Sequence, residues 1–368
     1  MYPYSTQLIQ EDDVLAISEA LRSPLLTQGN LTPAFERALC DFCHAKYALV
    51  FNSATSALYS AYKALGLEDS EVITTPISFV ATSNMLLQVG ARPVFCDVKE
   101  DGNIDEGKII PLITPRTKAI VSIDFGGKSV EVDSLVQIAR EYGLRFISDS
   151  SHAIGGYYKD SPIGGLADAS IFSFHPLKPM TTLEGGALLT NDEEIYEYAK
   201  LIGSHGVVRE ELWHYDVVQN GFNFRMNEVQ ASLGISQLKK LPSFLQRREQ
   251  IAVFYDGIFA DNPYFTTLHQ HHLYPSSNHL YPILLFPYLR AKKPQIFAAL
   301  RDAGLGVQVH YRPIYQFSYY RKHYAGLSCP SAEEFYDAEI SIPCHQKMSL
   351  GDAELVAQKI FEVFEKFS

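Results

Sequence analysis

The regular alternation of short apolar runs with amphipathic helical patterns between residues 47 and 190 constrains the fold of this chain more than any other feature. The runs are rich in Val, Ile, Leu and Phe and are bounded by turn residues, which indicates buried strands. Strands that alternate with helices form a parallel or mostly parallel sheet with right-handed crossovers, so the predicted fold class is α/β. The predicted strands are 47–51, 72–75, 94–98, 119–125, 145–148, 170–174 and 187–189.

Four residues that could take part in chemistry stand just beyond the ends of predicted strands. They are Thr55, Phe79, Asp149 and Lys178. Ligands of open α/β sheets bind at the carboxyl ends of the strands, where neighbouring strand ends meet. We therefore expect these four side chains to line one site.

Lys178 lies on a turn between two apolar runs that we predict to be core strands. A buried ammonium group is costly there unless it has a function. A lysine that forms a Schiff base carries a carbonyl compound, and pyridoxal phosphate is the usual such cofactor in α/β enzymes. Lys178 alone does not exclude the alternative, a surface lysine on an ordinary hairpin.

Other side chains near the predicted strand ends suit a pyridoxal phosphate site. The carboxylate of Asp149 could keep the pyridine nitrogen protonated, and His152 could reach the phenolic oxygen of the ring. Phe79 could stack on the ring, while Ser173 could offer a hydroxyl to the phosphate. Each residue also has a structural explanation, as part of a turn, a core aromatic or a packed strand serine.

A possible phosphate site follows the first predicted strand, at residues 52–56 (Asn-Ser-Ala-Thr-Ser), where a helical pattern begins. The free N–H groups of a first helical turn bind anions, assisted by the helix dipole. The hydroxyls of Ser53, Thr55 or Ser56 could add to this binding. Simple helix capping explains the same residue types, so both interpretations stay open.

The pattern of elements changes in the last third of the chain. A long helical pattern after Pro242 reaches about Phe259, and smaller α+β elements follow it. We therefore predict a large domain over 1–240, with an N-terminal helical arm, and a small C-terminal domain over 241–368. The segment 203–219 is predicted to be a loop. The strands predicted for the small domain are 280–285, 307–311 and 340–342.

Composition and charge exclude several classes of protein. The net charge of -11 argues against a nucleic-acid-binding surface, and the chain shows neither a signal peptide nor a membrane span, so we expect a cytoplasmic protein. Five cysteines do not make a disulfide framework in a chain of this length. The spacing Cys40-Asp41-Phe42-Cys43-His44 matches c-type haem attachment, but without an export signal we expect neither haem nor a metal site.

Together, the motifs resemble the DegT/DnrJ/EryC1/StrS family of pyridoxal-phosphate-dependent sugar-nucleotide aminotransferases. The resemblance covers nearly the whole chain and implies fold type I, the aspartate aminotransferase-like fold. The motifs that carry it are NSATSAL (52–58), TTPISFVATSNM (74–85), SDSSHAIG (148–155), SFHPLKPMTTLEGGALLTND (173–192), GFNFRMNEVQA (221–231) and VHYRPIY (309–315).

This resemblance implies a role for each site residue. Lys178 would carry the cofactor and shuttle a proton, and Asn223 would reach the phosphate from the other subunit of a homodimer, so that two subunits share each active site. Candidate sugar contacts lie in VHYRPIY and in the 203–219 loop. The implied cofactor-binding residues are Ala54, Thr55, Phe79, Asp149, His152, Ser173, Lys178 and Asn223, and the candidate sugar contacts are His310, Tyr311 and Tyr315.

A narrower resemblance within the family concerns the substrate. It is carried by FNSATSAL, TTPISFVAT, DGNIDE, SSNHLYPILL, QVHYRPIYQ and AEISIPCH. It implies transfer of an amino group from L-glutamate to C4 of a UDP-linked 4-keto-6-deoxy-N-acetylhexosamine. Another nucleotide-linked keto sugar is an open alternative. A sugar dehydratase of the same fold is disfavoured because its lysine position resembles histidine, and the intact Lys178, Asp149 and Thr55 disfavour a non-catalytic regulator.

Overall fold

The computed structural model of this chain describes residues 1–268 and 273–367. The α-helices of that part of the chain are α1 (Glu11–Leu21), α2 (Leu31–Cys43), α3 (Ala54–Ala64), α4 (Ala81–Gln88), α5 (Val132–Tyr142), α6 (Glu193–Gly203), α7 (Glu228–Ile258), α8 (Pro287–Arg290), α9 (Lys293–Asp302), α10 (Ser318–Arg321), α11 (Pro330–Ala338) and α12 (Leu350–Phe364). The strands are β1 (Tyr2–Pro3), β2 (Tyr47–Phe51), β3 (Glu71–Thr74), β4 (Arg92–Phe95), β5 (Thr117–Ile123), β6 (Arg145–Asp149), β7 (Tyr157–Tyr158), β8 (Ser161–Pro162), β9 (Ala169–Ser173), β10 (Gly186–Thr190), β11 (Val207–Arg209), β12 (Tyr215–Val217), β13 (Phe265–Thr267), β14 (Tyr281–Leu285), β15 (Leu305–Gly306) and β16 (Glu339–Ile342).

A seven-stranded sheet with the order β2-β10-β9-β6-β5-β3-β4 forms the centre of the molecule. Only β10 runs antiparallel to its neighbours β2 and β9, whereas the other strands of this sheet run in one direction. The prediction of a mostly parallel sheet is therefore confirmed. The carboxyl ends of β2, β3, β6 and β9 consequently lie along the same edge.

The sequence of the central elements follows from their burial. Strands β9 and β10 are buried at every residue, because helices cover both faces of the sheet, and their side chains are accordingly mostly apolar. Helix α5 buries Val132, Leu135 and Ile138 on one face, at helical spacing, and ends at Gly143 with a φ of 65°. These periodic elements match the sequence prediction closely.

The C-terminal part of the chain forms a second core. A three-stranded antiparallel sheet, β13-β14-β16, packs with α9, α12 and the last turns of α7 around one apolar cluster. The predicted α+β character of this part is confirmed. Strand β1 pairs with β15, so the first residues of the chain join this second unit. Helix α7 crosses residue 240 without a break, and the division into 1–240 and 241–368 stays a prediction.

Two predicted segments differ in the structure. The segment 203–219, predicted to be a loop, contains the antiparallel hairpin β11–β12. The sequence did not predict this hairpin because its strands are short and exposed and therefore lack an alternating apolar pattern. The strand predicted over 307–311 is wrong, since β15 ends at Gly306 and only Gln308 forms an isolated bridge, to Ser341. Residues 307–311 are irregular, but their apolar members give the same sequence pattern as a buried strand.

The structure can be compared with the predictions about membrane spans, metal sites and haem attachment. Within residues 1–268 and 273–367, none of the helices combines the length and apolar character that crossing a bilayer requires. In the same residues, His, Cys, Asp and Glu side chains do not cluster in threes that could bind a metal ion. Cys43 of the haem-like spacing packs in the core, where burial raises the pKa of its thiol. The cytoplasmic location stays a prediction.

Candidate active site

A cavity of about 640 Å³ opens at the carboxyl edge of the central sheet, between that edge and the segment that follows β15. Nearly all the predicted site residues meet there, although they come from distant parts of the chain. The predicted residues that line the cavity are Ala54, Thr55, Phe79, Asp149, His152, Ser173, Lys178, His310 and Tyr311.

Lys178 projects into this cavity from the turn that follows β9. Burial lowers the pKa of its amine to about 8, and the nearby Asp149 carboxylate opposes this shift. The turn is anchored from outside the sheet, because the hydroxyl of Ser5 donates to the carbonyl of Leu177 at 2.6 Å and accepts from buried Arg248 at 3.2 Å. A substantial fraction of this amine is therefore neutral near physiological pH, as a nucleophile or base requires.

Asp149 ends β6 and is oriented by hydroxyl groups. Its Oδ2 accepts from the Thr82 hydroxyl at 2.6 Å, and its Oδ1 accepts from the Ser151 hydroxyl at 2.5 Å and the Ser151 N–H at 3.2 Å. The sequence analysis missed both partners. The Asp149-Ser150-Ser151 run is a recognisable Asx turn, whereas Thr82 gives no sequence signal because its role depends on how α4 packs against the sheet.

The start of α3 forms a cradle at the cavity wall. The Ser53 hydroxyl accepts the N–H of Ser56, which confirms the capping interpretation for these two residues. Ala54 and Thr55 line the cavity, and the N–H groups of a first helical turn have no partner within the helix. A Cβ at Gly186 would lie 2.3 Å from the Ala54 nitrogen, so only glycine lets β10 approach this turn. The cradle fits a phosphate group.

His152 and Tyr311 join the two sides of the cavity. The Nδ1 of His152 accepts the N–H of Gly126 at 3.2 Å, so in the neutral ring Nε2 carries the proton. Burial and the nearby Lys178 lower the pKa of His152 well below its usual range, which keeps the ring neutral. Nε2 therefore donates to the Tyr311 hydroxyl at 3.1 Å, and the Tyr311 proton remains available to a ligand.

Two predicted site residues lie outside this cavity. The Tyr315 hydroxyl donates to Glu333 at 2.7 Å and its ring packs against Phe95, because the turn after Pro313 directs it away from the site. Tyr315 therefore does not line this cavity, and its role as a sugar contact stays a prediction. Asn223 is exposed on the segment between β12 and α7. Its predicted role across a subunit interface stays a prediction.

The structure adds cavity residues that the sequence analysis did not single out, among them Tyr4, His279 and Gln308. The ring of His279 lies 4.5 Å from that of His152, and its buried Nδ1 has no hydrogen-bond partner among the described residues. His279 precedes β14 within the motif SSNHLYPILL, which served only to support the resemblance. Burial lowers its pKa, so this side of the cavity is neutral.

The chain belongs to the DegT/DnrJ/EryC1/StrS aminotransferase family, whose profile matches residues 7–361. The UDP-4-amino-4,6-dideoxy-N-acetyl-beta-L-altrosamine transaminase of Helicobacter pylori is 49% identical to it over 369 aligned residues, which cover 100% of this chain and 98% of that protein.

Solved structures agree with this membership. Helicobacter pylori PseC, an aminotransferase involved in the biosynthesis of pseudoaminic acid, matches with a TM-score of 0.98 and 49% identity over 99% of both chains. The PLP form of the putative sugar aminotransferase Spr1654 from Streptococcus pneumoniae matches with a TM-score of 0.93 and 30% identity, over 99% of this chain and 98% of that chain. The predicted fold, enzyme class and cofactor are confirmed, and the cradle, Asp149 and Lys178 fit pyridoxal phosphate.

Proposed function

We propose that this enzyme transfers the amino group of L-glutamate to C4 of a UDP-linked 4-keto-6-deoxy-N-acetylhexosamine. The product would be UDP-4-amino-4,6-dideoxy-N-acetyl-β-L-altrosamine, an intermediate for pseudaminic acid. The observation that carries the proposal is the match to the Helicobacter pylori transaminase, which covers the whole of this chain at 49% identity. The cavity, with Lys178 near the carboxylate of Asp149, supports the reaction type.

Different residues of the cavity would bind different parts of the cofactor. When bound, pyridoxal phosphate supplies a carbonyl carbon that takes up an amino group and a ring that withdraws electrons from the neighbouring carbon. The N–H groups of Ala54 and Thr55 would hold the phosphate. Asp149 would keep the ring nitrogen protonated, and Phe79, which is 60% exposed at the cavity edge, would cover a ring face.

Lys178 would act as both carrier and base. Its Nζ takes the proton from the α-carbon of glutamate in the first half of the reaction and returns one to C4 of the sugar in the second. This role needs an amine that is often neutral, and the pKa of about 8 provides one. Thr82 would support the chemistry indirectly by fixing the Asp149 carboxylate.

The charge of the cavity supports a site shared between two subunits. Among the described residues that line it, Lys178 is the single lysine or arginine, and Asp149 and Glu184 are acidic. The proposed ligands carry a phosphate, a diphosphate and two carboxylates, so further positive or donor groups must come from elsewhere. A homodimer, with Asn223 of the partner subunit at the phosphate, would supply donors at the open side of the cavity.

The two half-reactions test the proposed substrates separately. The visible absorbance of the purified holoenzyme is followed on addition of L-glutamate, and then of the UDP-linked 4-keto-6-deoxy sugar. We expect glutamate to remove the cofactor band and the sugar to restore it. Loss without restoration, or restoration by a GDP-linked or 3-keto sugar instead, would keep the aminotransferase but reject this acceptor.

Subunit complementation tests the shared site. Lys178→Ala and Asn223→Ala proteins are assayed alone and after mixing under conditions that exchange subunits. If Asn223 acts across the interface, a mixed dimer has one intact site, and random exchange restores roughly a quarter of the wild-type activity. If Asn223 serves its own subunit, both sites of the mixed dimer are defective and mixing restores nothing.

A further inference from the structure

His310 forms part of a buried hydrogen-bond chain that reaches the cavity from the C-terminal sheet. Its Nδ1 lies 2.8 Å from the hydroxyl oxygen of Ser341, and the same hydroxyl donates to Oε1 of Glu339 at 2.5 Å. The other carboxylate oxygen of Glu339 accepts the backbone N–H of His310 at 2.7 Å. Ser341 and Glu339 are fully buried, and His310 is 4% exposed.

The direction of this chain follows from proton counting. A serine hydroxyl has one proton, and above the pKa of Glu339, which burial raises to about 7, Ser341 gives that proton to the ionised carboxylate, which can only accept. His310 Nδ1 must then be the donor to Ser341. Burial, and the nearby Lys178 to a smaller extent, lower the pKa of His310 to about 3, so the ring is neutral and carries one proton. Its Nε2 is left with a free lone pair.

Nε2 of His310 points away from Ser341, because the two nitrogens of an imidazole ring face in different directions. The ring lines the cavity and is held between the rings of Tyr4 and Tyr311, at centroid distances of 5.1 and 4.8 Å. Among the described residues, no group makes a hydrogen bond to Nε2. His152, which also contacts Tyr311, has the opposite arrangement, because its Nδ1 accepts and its Nε2 donates.

We infer that Glu339 and Ser341 are positioning residues that fix His310 as a hydrogen-bond acceptor for a hydroxyl or amide N–H of the sugar. This inference rests on the proposed function for the identity of the ligand. A fixed acceptor attracts sugar hydroxyls and an N-acetyl N–H, but repels the carboxylates of an amino-acid donor. Loss of the hydrogen bonds among Glu339, Ser341 and His310 should therefore slow the sugar half-reaction and have little effect on the glutamate half-reaction.

The first experiment measures the protonated nitrogen of His310 directly. Histidine ring ¹⁵N shifts are recorded for the ¹⁵N-histidine-labelled wild-type holoenzyme, and the signal is assigned by its loss in His310→Gln. Burial raises the pKa of Glu339 to about 7, with Lys293 opposing the shift, so the spectrum is taken at about pH 8.5, where the carboxylate is ionised. We expect a proton on Nδ1; a proton on Nε2 would overturn the inference.

The second experiment separates the half-reactions in Ser341→Ala and Glu339→Gln proteins. We expect kcat/KM for the sugar half-reaction to fall roughly tenfold or more, with the glutamate half-reaction within about twofold of wild type. Ser341→Thr keeps the hydroxyl and should restore most of the loss. Equal losses in both half-reactions would show a merely structural role and reject the inference.

Ser60→Ala is a matched control for Ser341→Ala. Ser60 is also fully buried, but its hydroxyl has no hydrogen-bond partner among the described residues, so its removal should change neither half-reaction. If the wild type does not use the UDP-sugar at all, the proposed substrate fails. The ¹⁵N shift of His310 then tests by itself whether Glu339 and Ser341 position His310, since the NMR measurement requires no substrate.

Discussion

The cavity has two walls of different origin. The sheet wall consists of Ala54, Thr55, Asp149 and Lys178, which lie at or beyond strand ends of the central sheet, whereas the C-terminal wall consists of His279 and residues 308–311. The sheet wall carries the charges, and hydroxyl groups and a helix start hold them in place. The C-terminal wall is neutral, because burial lowers the pKa of its histidines. In the proposed function, this difference would separate the reaction chemistry, on the sheet wall, from recognition of the sugar, on the C-terminal wall.

Replacement of the lysine on the sheet wall should have the largest effect. The Lys178→Ala protein should still bind pyridoxal phosphate, since the helix start and Asp149 remain, but it should show no turnover because it lacks both carrier and base. Cofactor content and steady-state activity measure the two properties. Lys200→Ala, on the exposed face of α6, is the control and should retain activity. Turnover close to wild type in Lys178→Ala would contradict the assignment.

Loss of the charge on Asp149 should have the next largest effect. Asp149→Asn keeps the shape and the contacts with Thr82 and Ser151, but no longer stabilises a protonated ring nitrogen. We expect kcat to fall by a factor on the order of 10² to 10³, as for other buried charge pairs that lose one partner. Thr82→Val removes one hydroxyl and should cost about tenfold. A larger loss in Thr82→Val than in Asp149→Asn would refute this order.

The amine of Lys178 should titrate far below an ordinary lysine in the cofactor-free protein. With a pKa of about 8, its reaction with an amine-directed acylating reagent should reach half its maximal rate near pH 8. An unperturbed lysine needs about pH 10.4. Between about pH 8 and about pH 10.4, Lys178 is protonated in the unfolded chain but mostly neutral in the folded protein. The free energy of unfolding should therefore rise with pH over this range.

Mass spectrometry of the Lys178 peptide gives the acylation rate. The Asp149 carboxylate raises this pKa, so Asp149→Asn should move the half-maximum to lower pH. A half-maximum near pH 10 in the wild type would show that the sheet wall does not favour the neutral amine.

The smallest effect is expected where the two walls meet. Tyr311→Phe keeps the ring but removes the hydroxyl that accepts from His152 Nε2. The loss of one neutral hydrogen bond should lower kcat/KM by about three- to tenfold. Separate half-reaction assays show whether the loss falls on one substrate. A loss as large as that in Asp149→Asn would place Tyr311 among the essential groups of the sheet wall.

The sequence predicted the sheet wall far better than the C-terminal wall. Strands with continuous apolar runs predicted the positions of Asp149 and Lys178, because Asp149 is the last residue of β6 and Lys178 lies on the turn that follows β9. The C-terminal wall depends on an irregular segment after Gly306, which has no periodicity, and on partners such as Glu339 that are distant in sequence. The position of Tyr315 outside the cavity was not predicted for the same reason, since it depends on the short helical turn that follows Pro313.

Residues 2–5 have a consequence for the order in which the molecule is completed. They emerge from the ribosome before their partners, because β1 pairs with Leu305–Gly306 and the Ser5 hydroxyl donates to the carbonyl of Leu177, next to Lys178. Synthesis proceeds from the N-terminus, so these residues find their partners only when most of the chain has emerged. The segment that anchors the turn of Lys178 therefore gains its β1 pairing only late in synthesis, and we expect a chain that ends before residue 305 to lack this pairing.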